Sequence, residues 1–298
     1  MKIVKKIAIL NLKNRFPVSL LCRIAGIDRS NFYKWLKSYN PDKYKQLDEC
    51  IKMIHQLCEQ TYGYRRMYLA VKALGFKCNE KLIRKRMKLL GLKCAIRQKK
   101  NNYQKSKTET NKKCVNYLNQ EFNPYKPNKY YSVDITYLPT KEGMVYLNVI
   151  IDLFGKIPVA YLSSNSCNSK LAEDTIDILV NKRKSIKNAM IHSDQGITYL
   201  SKDYIKKLSD LKVIRSNSKK GYPYDNACSE NFFSIFKVEK FYRLGYIPEN
   251  KEQIDEIVEE YIDFYINKRI SLSLNGLTPK QYYDKYINER KRLSLKAS

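Results

Sequence analysis

Histidine is almost missing from this 298-residue chain: only His55 and His192 occur. A zinc site built from two histidines and two closely spaced cysteines is therefore excluded. Eight cysteines are present (Cys22, Cys50, Cys58, Cys78, Cys94, Cys114, Cys167 and Cys228), but no two have CxxC spacing. Scattered in this way, they read as reduced, partly buried thiols of a cytosolic protein. No run of about 18 apolar residues exists, so nothing is expected to span a membrane. The opening MKIVKKIAIL is basic with a short apolar run, and Asn11, Lys13, Asn14 and Arg15 follow it. It lacks the apolar core and cleavage site of a secretion signal. Acidic residues are also scarce against basic ones, 29 to 57, for a formal net charge of +28. Such an excess favours a densely anionic partner, above all nucleic acid. A bias toward Lys, Asn, Ile and Tyr, as coding regions poor in G·C produce, would also raise Lys, so charge alone does not decide.

What is present divides the chain. Residues 18–37, VSLLCRIAGIDRSNFYKWLK, carry an apolar helical set (Val18, Leu21, Cys22, Ala25), a turn at Gly26 and a capping Asp28 or Ser30. A second apolar face follows in Phe32, Trp35 and Leu36. Two short helices about a glycine turn have the form of a helix-turn-helix, with Arg29, Lys34 and Lys37 exposed on the second helix. Residues 63–75 and 80–90 repeat the pattern, with Asn79 as cap and Lys81, Arg84, Lys85, Arg86 and Lys88 on the outer face. A solvated basic face on a helical bundle explains any single one of these lysines equally well. Between Lys93 and Lys113, eight basic residues face one acid, Glu109, and apolar periodicity is lost; this reads as an extended basic tether.

From Lys129 the texture changes. Tyr130–Leu138, Met144–Asp152 and Ile157–Leu162 alternate as β-strands joined by short turns, an antiparallel meander. A helix over 169–183, a strand Ala189–Ser193, a helix near 202–208 and a strand Lys212–Arg215 follow. The expectation is an α/β sheet of mixed direction. Residues 216–240, SNSKKGYPYDNACSENFFSIFKVEK, begin as a basic loop with Lys219 and Lys220. They continue as a helix from Asp225, capped by Asp225 with Asn226 beside it. Glu230, Phe233 and Lys237 share one face of that helix. Taken alone, this is equally an amphipathic helix with two solvated charges.

Three acids stand out. Asp134 sits mid-strand on one face with Ser132 and Thr136, where a charge is costly without a partner. Asp194 ends a strand before Gln195 and Gly196. Glu230 lies on the helix. Carboxylates converging at a sheet edge make an oxygen cage suited to Mg²⁺ or Mn²⁺. Separately, Asp194 reads as a turn residue and Asp134 as a hydrogen-bonded strand residue.

The motifs YSVDITYL around Asp134, IHSDQG around Asp194 and YDNACSENFFSIFKVE around Glu230 resemble the DDE transposases and retroviral-type integrases. Nearest is the second-reading-frame transposase of bacterial insertion sequences. The resemblance extends to FPVSLLCRIAGIDRSNFYKWL, YGYRRMYLAVKALG, YLNVIIDLFGK and YIDFYINKRISLSLNGLTPKQY, and so covers nearly the whole chain. Tyr131 departs from the pattern, standing where such proteins often have Trp. The resemblance implies an RNase H-like mixed sheet flanked by helices, preceded by small all-α helix-turn-helix regions. It implies helix-turn-helix regions at 1–42 and 43–97, a basic linker at 98–127, a catalytic core at 128–285 and a fraying basic tail at 286–298. It further implies cleavage at element ends and strand transfer of the 3′-OH into target DNA. Asp134, Asp194 and Glu230 are then the catalytic residues and hold two divalent ions, Mg²⁺ or Mn²⁺. Lys237, Lys219, Lys220, Arg84, Lys85, Arg29 and Lys34 are the candidate DNA contacts. His192, Asp152 and Asp225 are structural, and Glu239 is not a ligand. The expected partners are double-stranded DNA, further copies of the chain and an upstream-frame protein, as fusion or partner, in a bacterial cytoplasm at the nucleoid. The rival reading is a non-catalytic DNA-binding regulator or an inactive remnant.

Overall fold

The computed structural model describes residues 2–38, 43–96, 115–218 and 223–297. Lys219, Lys220 and most of the expected basic tether lie outside the described residues. The chain separates into two compact units, Met1–Met53 and Ile54–Ser298.

In the first unit, α1 (Lys2–Leu12), α2 (Val18–Ala25) and α3 (Arg29–Ser38) enclose a small core of Ile9, Cys22 and Phe32. Gly26, at φ 62°, ends α2 in the left-handed conformation that glycine adopts without strain. Asp28 then starts α3: its carboxylate accepts from the N–H groups of Ser30 at 2.7 Å and Asn31 at 3.1 Å. These bonds hold the Asp28 carboxyl below its usual range, the Ser30 hydroxyl contributing most. Helix α4 (Lys45–Leu57) runs across the division between the units.

The second unit begins with the hairpin of α5 (Tyr64–Ala73) and α6 (Glu80–Leu89). Met67 and Val71 of α5 and Ile83 and Met87 of α6 are buried. Asn79 caps α6 as the sequence indicates, its side chain accepting from Leu82 N–H at 2.9 Å.

Five strands follow: β1 (Tyr130–Thr140), β2 (Gly143–Asp152), β3 (Ile157–Ser164), β4 (Met190–Ser193) and β5 (Ile214–Asn217). Their spatial order is β3-β2-β1-β4-β5. The first three are antiparallel, and β1–β4 and β4–β5 are parallel. This is the mixed, RNase H-like arrangement that the sequence resemblance implies. Alternation along the strands divides the core between two faces. Tyr131, Val133 and Ile150 join Ala172, Ile176, Leu179, Tyr204 and Leu208 from α7 (Ser169–Arg183) and α8 (Lys202–Asp210). On the other face Val145, Leu147, Val149 and Ile151 meet Phe232, Phe236, Ile254 and Tyr261 from α9 (Ala227–Glu239) and α10 (Lys251–Asn267). The even positions of β1, Ser132 and Thr136 among them, therefore face α9, and Asp134 shares their side.

Three expectations change. Asp225 does not cap the helix. A 3₁₀ turn, Pro223–Asn226, precedes α9, and the buried Asp225 accepts from the Gln120 side chain at 2.9 Å. Asn226 makes no cap bond either, because its side chain is engaged by Ser132. The last strand lies two residues later than expected, at Ile214–Asn217. The tail does not fray from residue 286: α11 (Pro279–Ala297) runs through it, anchored where Tyr282, Tyr283 and Tyr286 pack around Phe154. The segment after the undescribed tether is also fixed, since Tyr117 and Leu118 N–H both bond to Ser216 Oγ.

A buried ion pair joins distant parts of this unit. Glu239, at the end of α9, accepts from Arg269 Nε at 2.6 Å and Nη2 at 2.7 Å. Both side chains are 3% exposed. Removing one partner of such a pair strands the other charge. Arg269→Ala should therefore lower unfolding stability by about 3 kcal/mol, read as a fall in the urea midpoint.

Candidate active site

The register of β1 and β4 builds the site. Ser132 pairs with His192 in parallel, and the two-residue step beyond each reaches Asp134 and Asp194. Because parallel strands point the same way, the two aspartates stand side by side at the carboxyl edge of β4. Crevices of this kind outside strand ends are where open α/β sheets bind ligands.

Helix α9 is latched against the same place. Ser132 Oγ donates to Asn226 Oδ1 at 2.7 Å and meets Ser229 Oγ at 2.5 Å, all three residues buried. The small hydroxyls let the helix approach the strand closely. Glu230, next to Ser229, is thereby held near the aspartates while its own side chain stays exposed.

The electrostatics record that convergence. Burial pushes the Asp134 carboxyl up to about 7, with Asp194 and Glu230 adding repulsion. Glu230 is likewise raised, first by lost hydration and then by Asp194. Among the described residues none of the three carboxylates has a basic side chain in a salt bridge. Uncompensated carboxylates of this kind at one edge fit hard divalent cations. Asp134 and Asp194 line a cavity of about 660 Å³ together with Thr136, Tyr137, Ile197 and Tyr199. Glu230 does not line it. No three acidic, His or Cys groups among the described residues form a ready metal cage.

Neighbouring groups hold the aspartates. Asp194 Oδ1 accepts from Gly196 N–H at 2.8 Å, and a Cβ on Gly196 would come within 2.9 Å of the same oxygen. Asn217 Nδ2 bonds Ser193 Oγ and the Asp194 carbonyl. His192 is buried and structural. Its Nδ1 lies 2.9 Å from Ser216 Oγ and its Nε2 3.1 Å from Ser218 Oγ. Since burial lowers its pKa to about 4, it is neutral at physiological pH. Asp152 is also structural, accepting from Asn128 and Phe154 N–H at 2.8 and 3.0 Å.

Lys237 is half-buried, with its ammonium 4.7 Å from the Tyr137 ring centroid; burial lowers its pKa. Within the same unit, Arg84 and Lys85 are exposed on α6, the Arg84 guanidinium lying over the Tyr64 ring. In the first unit, Arg29 and Lys34 are exposed on α3, with Arg29 over Tyr33. Sequence reasoning missed Ser132 and Ser229 as latches and Tyr137 as the partner of Lys237. Tyr137 carried no signal, since a spacing of three residues from Asp134 is an opposite-face spacing on a strand. The serines carried none, because hydroxyls on strand and helix are unremarkable until the two elements meet.

Integrase core domain models match residues 124–223 and 230–287, and an HTH-like domain model matches residues 42–100. InsK for insertion sequence element IS150 of Escherichia coli (strain K12) is 34% identical over 269 residues, covering 90% of this chain and 94% of that protein. This chain belongs to the transposases of insertion sequences. Transposase InsF for insertion sequence IS3A, from the same organism, is 30% identical, over 89% of this chain and 93% of InsF. Among solved structures, the HTLV-2 integrase catalytic core domain in complex with magnesium is 16% identical with a TM-score of 0.41. That match covers 54% of this chain and 99% of the viral one. As a member of the insertion-sequence transposases, the chain is a DNA-acting enzyme. None of its described helices is long and apolar enough to cross a membrane.

The raised Asp134 pKa has a consequence for the metal-free transposase. Folded Asp134 keeps its proton up to about pH 7, whereas the unfolded chain releases it near 3.8. The folded state binds more protons across that window, so stability is greatest below it and falls as pH rises toward 7. In EDTA, the unfolding midpoint should decline over that range, and Asp134→Asn should lessen the decline, leaving the part that Asp152, pushed up to about 6 by burial, contributes.

Proposed function

We propose that Asp134, Asp194 and Glu230 form the metal-binding catalytic triad of this transposase, and that it cuts phosphodiesters at the ends of its element and joins the freed 3′-OH to target DNA. One observation carries the reading: the parallel register that sets Asp134 beside Asp194, with Glu230 latched next to them. The three carboxylates would hold two Mg²⁺ ions, or Mn²⁺ in their place. When bound, such ions activate the attacking oxygen and stabilise the leaving one.

The chain's own residues do the remaining work. Cleavage adds water to phosphorus and breaks the P–O3′ bond; joining forms a new P–O bond from the freed 3′ oxygen and expels a target 3′ oxygen. Lys237 supplies a cation to the phosphate oxygens, and the Tyr137 ring fixes its direction at little entropic cost. The exposed Arg29 and Lys34 on α3, and Arg84 and Lys85 on α6, bind backbone phosphates of the duplex. Lys219 and Lys220, which precede α9 in the sequence, do the same.

The organisation we propose has helix-turn-helix regions at 1–42 and 43–97, a basic linker at 98–127 and a catalytic core at 128–285. Joining two element ends calls for at least two copies of the chain in the DNA complex. An upstream-frame protein, as fusion or partner, supplies further end recognition, and the working site is the bacterial nucleoid.

Asp134→Asn should abolish Mg²⁺-dependent nicking and joining of element-end DNA while gel-shift affinity stays within about twofold of wild type, since backbone phosphate contacts dominate affinity. Residual nicking at the wild-type rate in that variant overturns the triad. Tyr137→Ala should slow nicking about tenfold, the effect of losing roughly 1.4 kcal/mol of cation–π orientation.

A further inference from the structure

Glu239 ends the helix that bears Glu230 and Lys237, yet the chemistry above does not use it. Its carboxylate accepts four bonds: two from Arg269, one from Tyr261 OH at 3.1 Å and one from Arg66 Nη1 at 3.2 Å. Arg269 alone neutralises the charge. Arg66 is a second guanidinium on one carboxylate, and it comes from α5, the first helix of the basic hairpin. Its contact is longer than the two from Arg269 and its side chain is 20% exposed, so it is the adjustable member of the cluster.

Further contacts seat the hairpin at the same place. Tyr62 OH accepts from Ile270 N–H at 2.8 Å and donates to the Lys268 carbonyl at 3.3 Å. Leu69 of α5 fills the space beside Gly276, where a Cβ would lie 2.9 Å from its Cδ1. Helix α9 is therefore a rod fixed at both ends. Its first turn is latched to β1, which carries Asp134, and its last residue is tied to the hairpin, whose outer face carries Arg84 and Lys85. Packed interiors pass such displacements on because they have no slack to absorb them.

We infer that Arg66 and Glu239 are a positioning pair, through which contact of α6 with duplex DNA sets the placement of α9 and so brings Glu230 and Lys237 into line with the aspartates. This rests on the reading of Arg84 and Lys85 as DNA contacts. It also gives the exposed Glu230 a condition for joining the aspartates at a metal: the duplex must first be seated. The pair touches no reacting atom and acts only through the helix.

The test uses the full chain, a duplex oligonucleotide bearing the end of its own element, and the variants Arg66→Met and Arg66→Lys. Arg66→Met keeps the aliphatic stem, and Arg269 still neutralises Glu239, so the fold is retained. With wild type, the duplex should slow amide hydrogen exchange across residues 227–239. Arg66→Met should bind the duplex within about twofold of wild type but lose that slowing, and should nick about tenfold slower at saturating duplex, a kcat effect without a KM effect. Arg66→Lys should recover part of both. Wild-type nicking by Arg66→Met, or exchange across 227–239 that the duplex leaves unchanged in wild type, overturns the coupling. The double variant Arg84→Ala/Lys85→Ala separates the two claims. If it binds the duplex as wild type does, the reading of α6 fails and the coupling fails with it; if it binds weakly while Arg66→Met nicks normally, only the coupling fails.

Discussion

The parallel pairing of β1 with β4 is the constraint on which the rest of this transposase depends. Only three residue pairs make up that ladder, Tyr130–Met190, Tyr131–Ile191 and Ser132–His192. A slip of one residue would turn Asp134 or Asp194 to the opposite face, since side chains alternate with period two. Register is protected by burial on both sides of the sheet. Tyr131 and Ile191 lie in one apolar cluster, and Ser132 and His192 are fully buried under α9 and β5. The neutral His192, bonded to two serines, ties β4 to the end of β5 and the chain beyond it. The placement of the two aspartates is thus a by-product of core packing, and Asp134 bears the cost of its burial in a raised pKa.

Those charges work against the fold. Three carboxylates with mutual repulsion and no cationic partner among the described residues carry a local cost that the chain's basic excess does not remove. Lysines are plentiful, and several described ones form salt bridges elsewhere, as Lys141 does with Glu249 and Lys251 with Asp255. On the proposed reading, leaving the carboxylates unpaired keeps them open to a divalent cation. Stability is supplied elsewhere, by the two apolar faces and by the Glu239–Arg269 pair. This division between a destabilised site and a stabilised frame is the usual trade between activity and stability.

Much of this was legible in the sequence, and what was not has a common physical reason. Strand alternation put Asp134 on the face of Ser132 and Thr136, and Asn79 and Asp28 announced their caps, because these features depend on neighbours within a few residues. Asp225 looked like a cap for the same local reason, but Gln120, 105 residues away, takes its carboxylate. Glu239 read only as a residue that is not a ligand, and its buried pairing was hidden because its partners, Arg269 and Arg66, are 30 and 173 residues distant. The tail looked frayed from its basic composition, whereas three tyrosines around Phe154 anchor its helix. The meeting of Asp134, Asp194 and Glu230 came from family resemblance, not from spacing. Spacing alone could not show that Glu230 would stand at the border of the cavity, outside its lining.

The most direct measurement is anomalous diffraction from crystals of the wild-type chain grown with Mn²⁺ and element-end duplex. The account predicts Mn²⁺ bound by the carboxylates of Asp134 and Asp194, with Glu230 turned inward as a further ligand. Crystals with ordered duplex at the β4 edge but no Mn²⁺ between the two aspartates would contradict it.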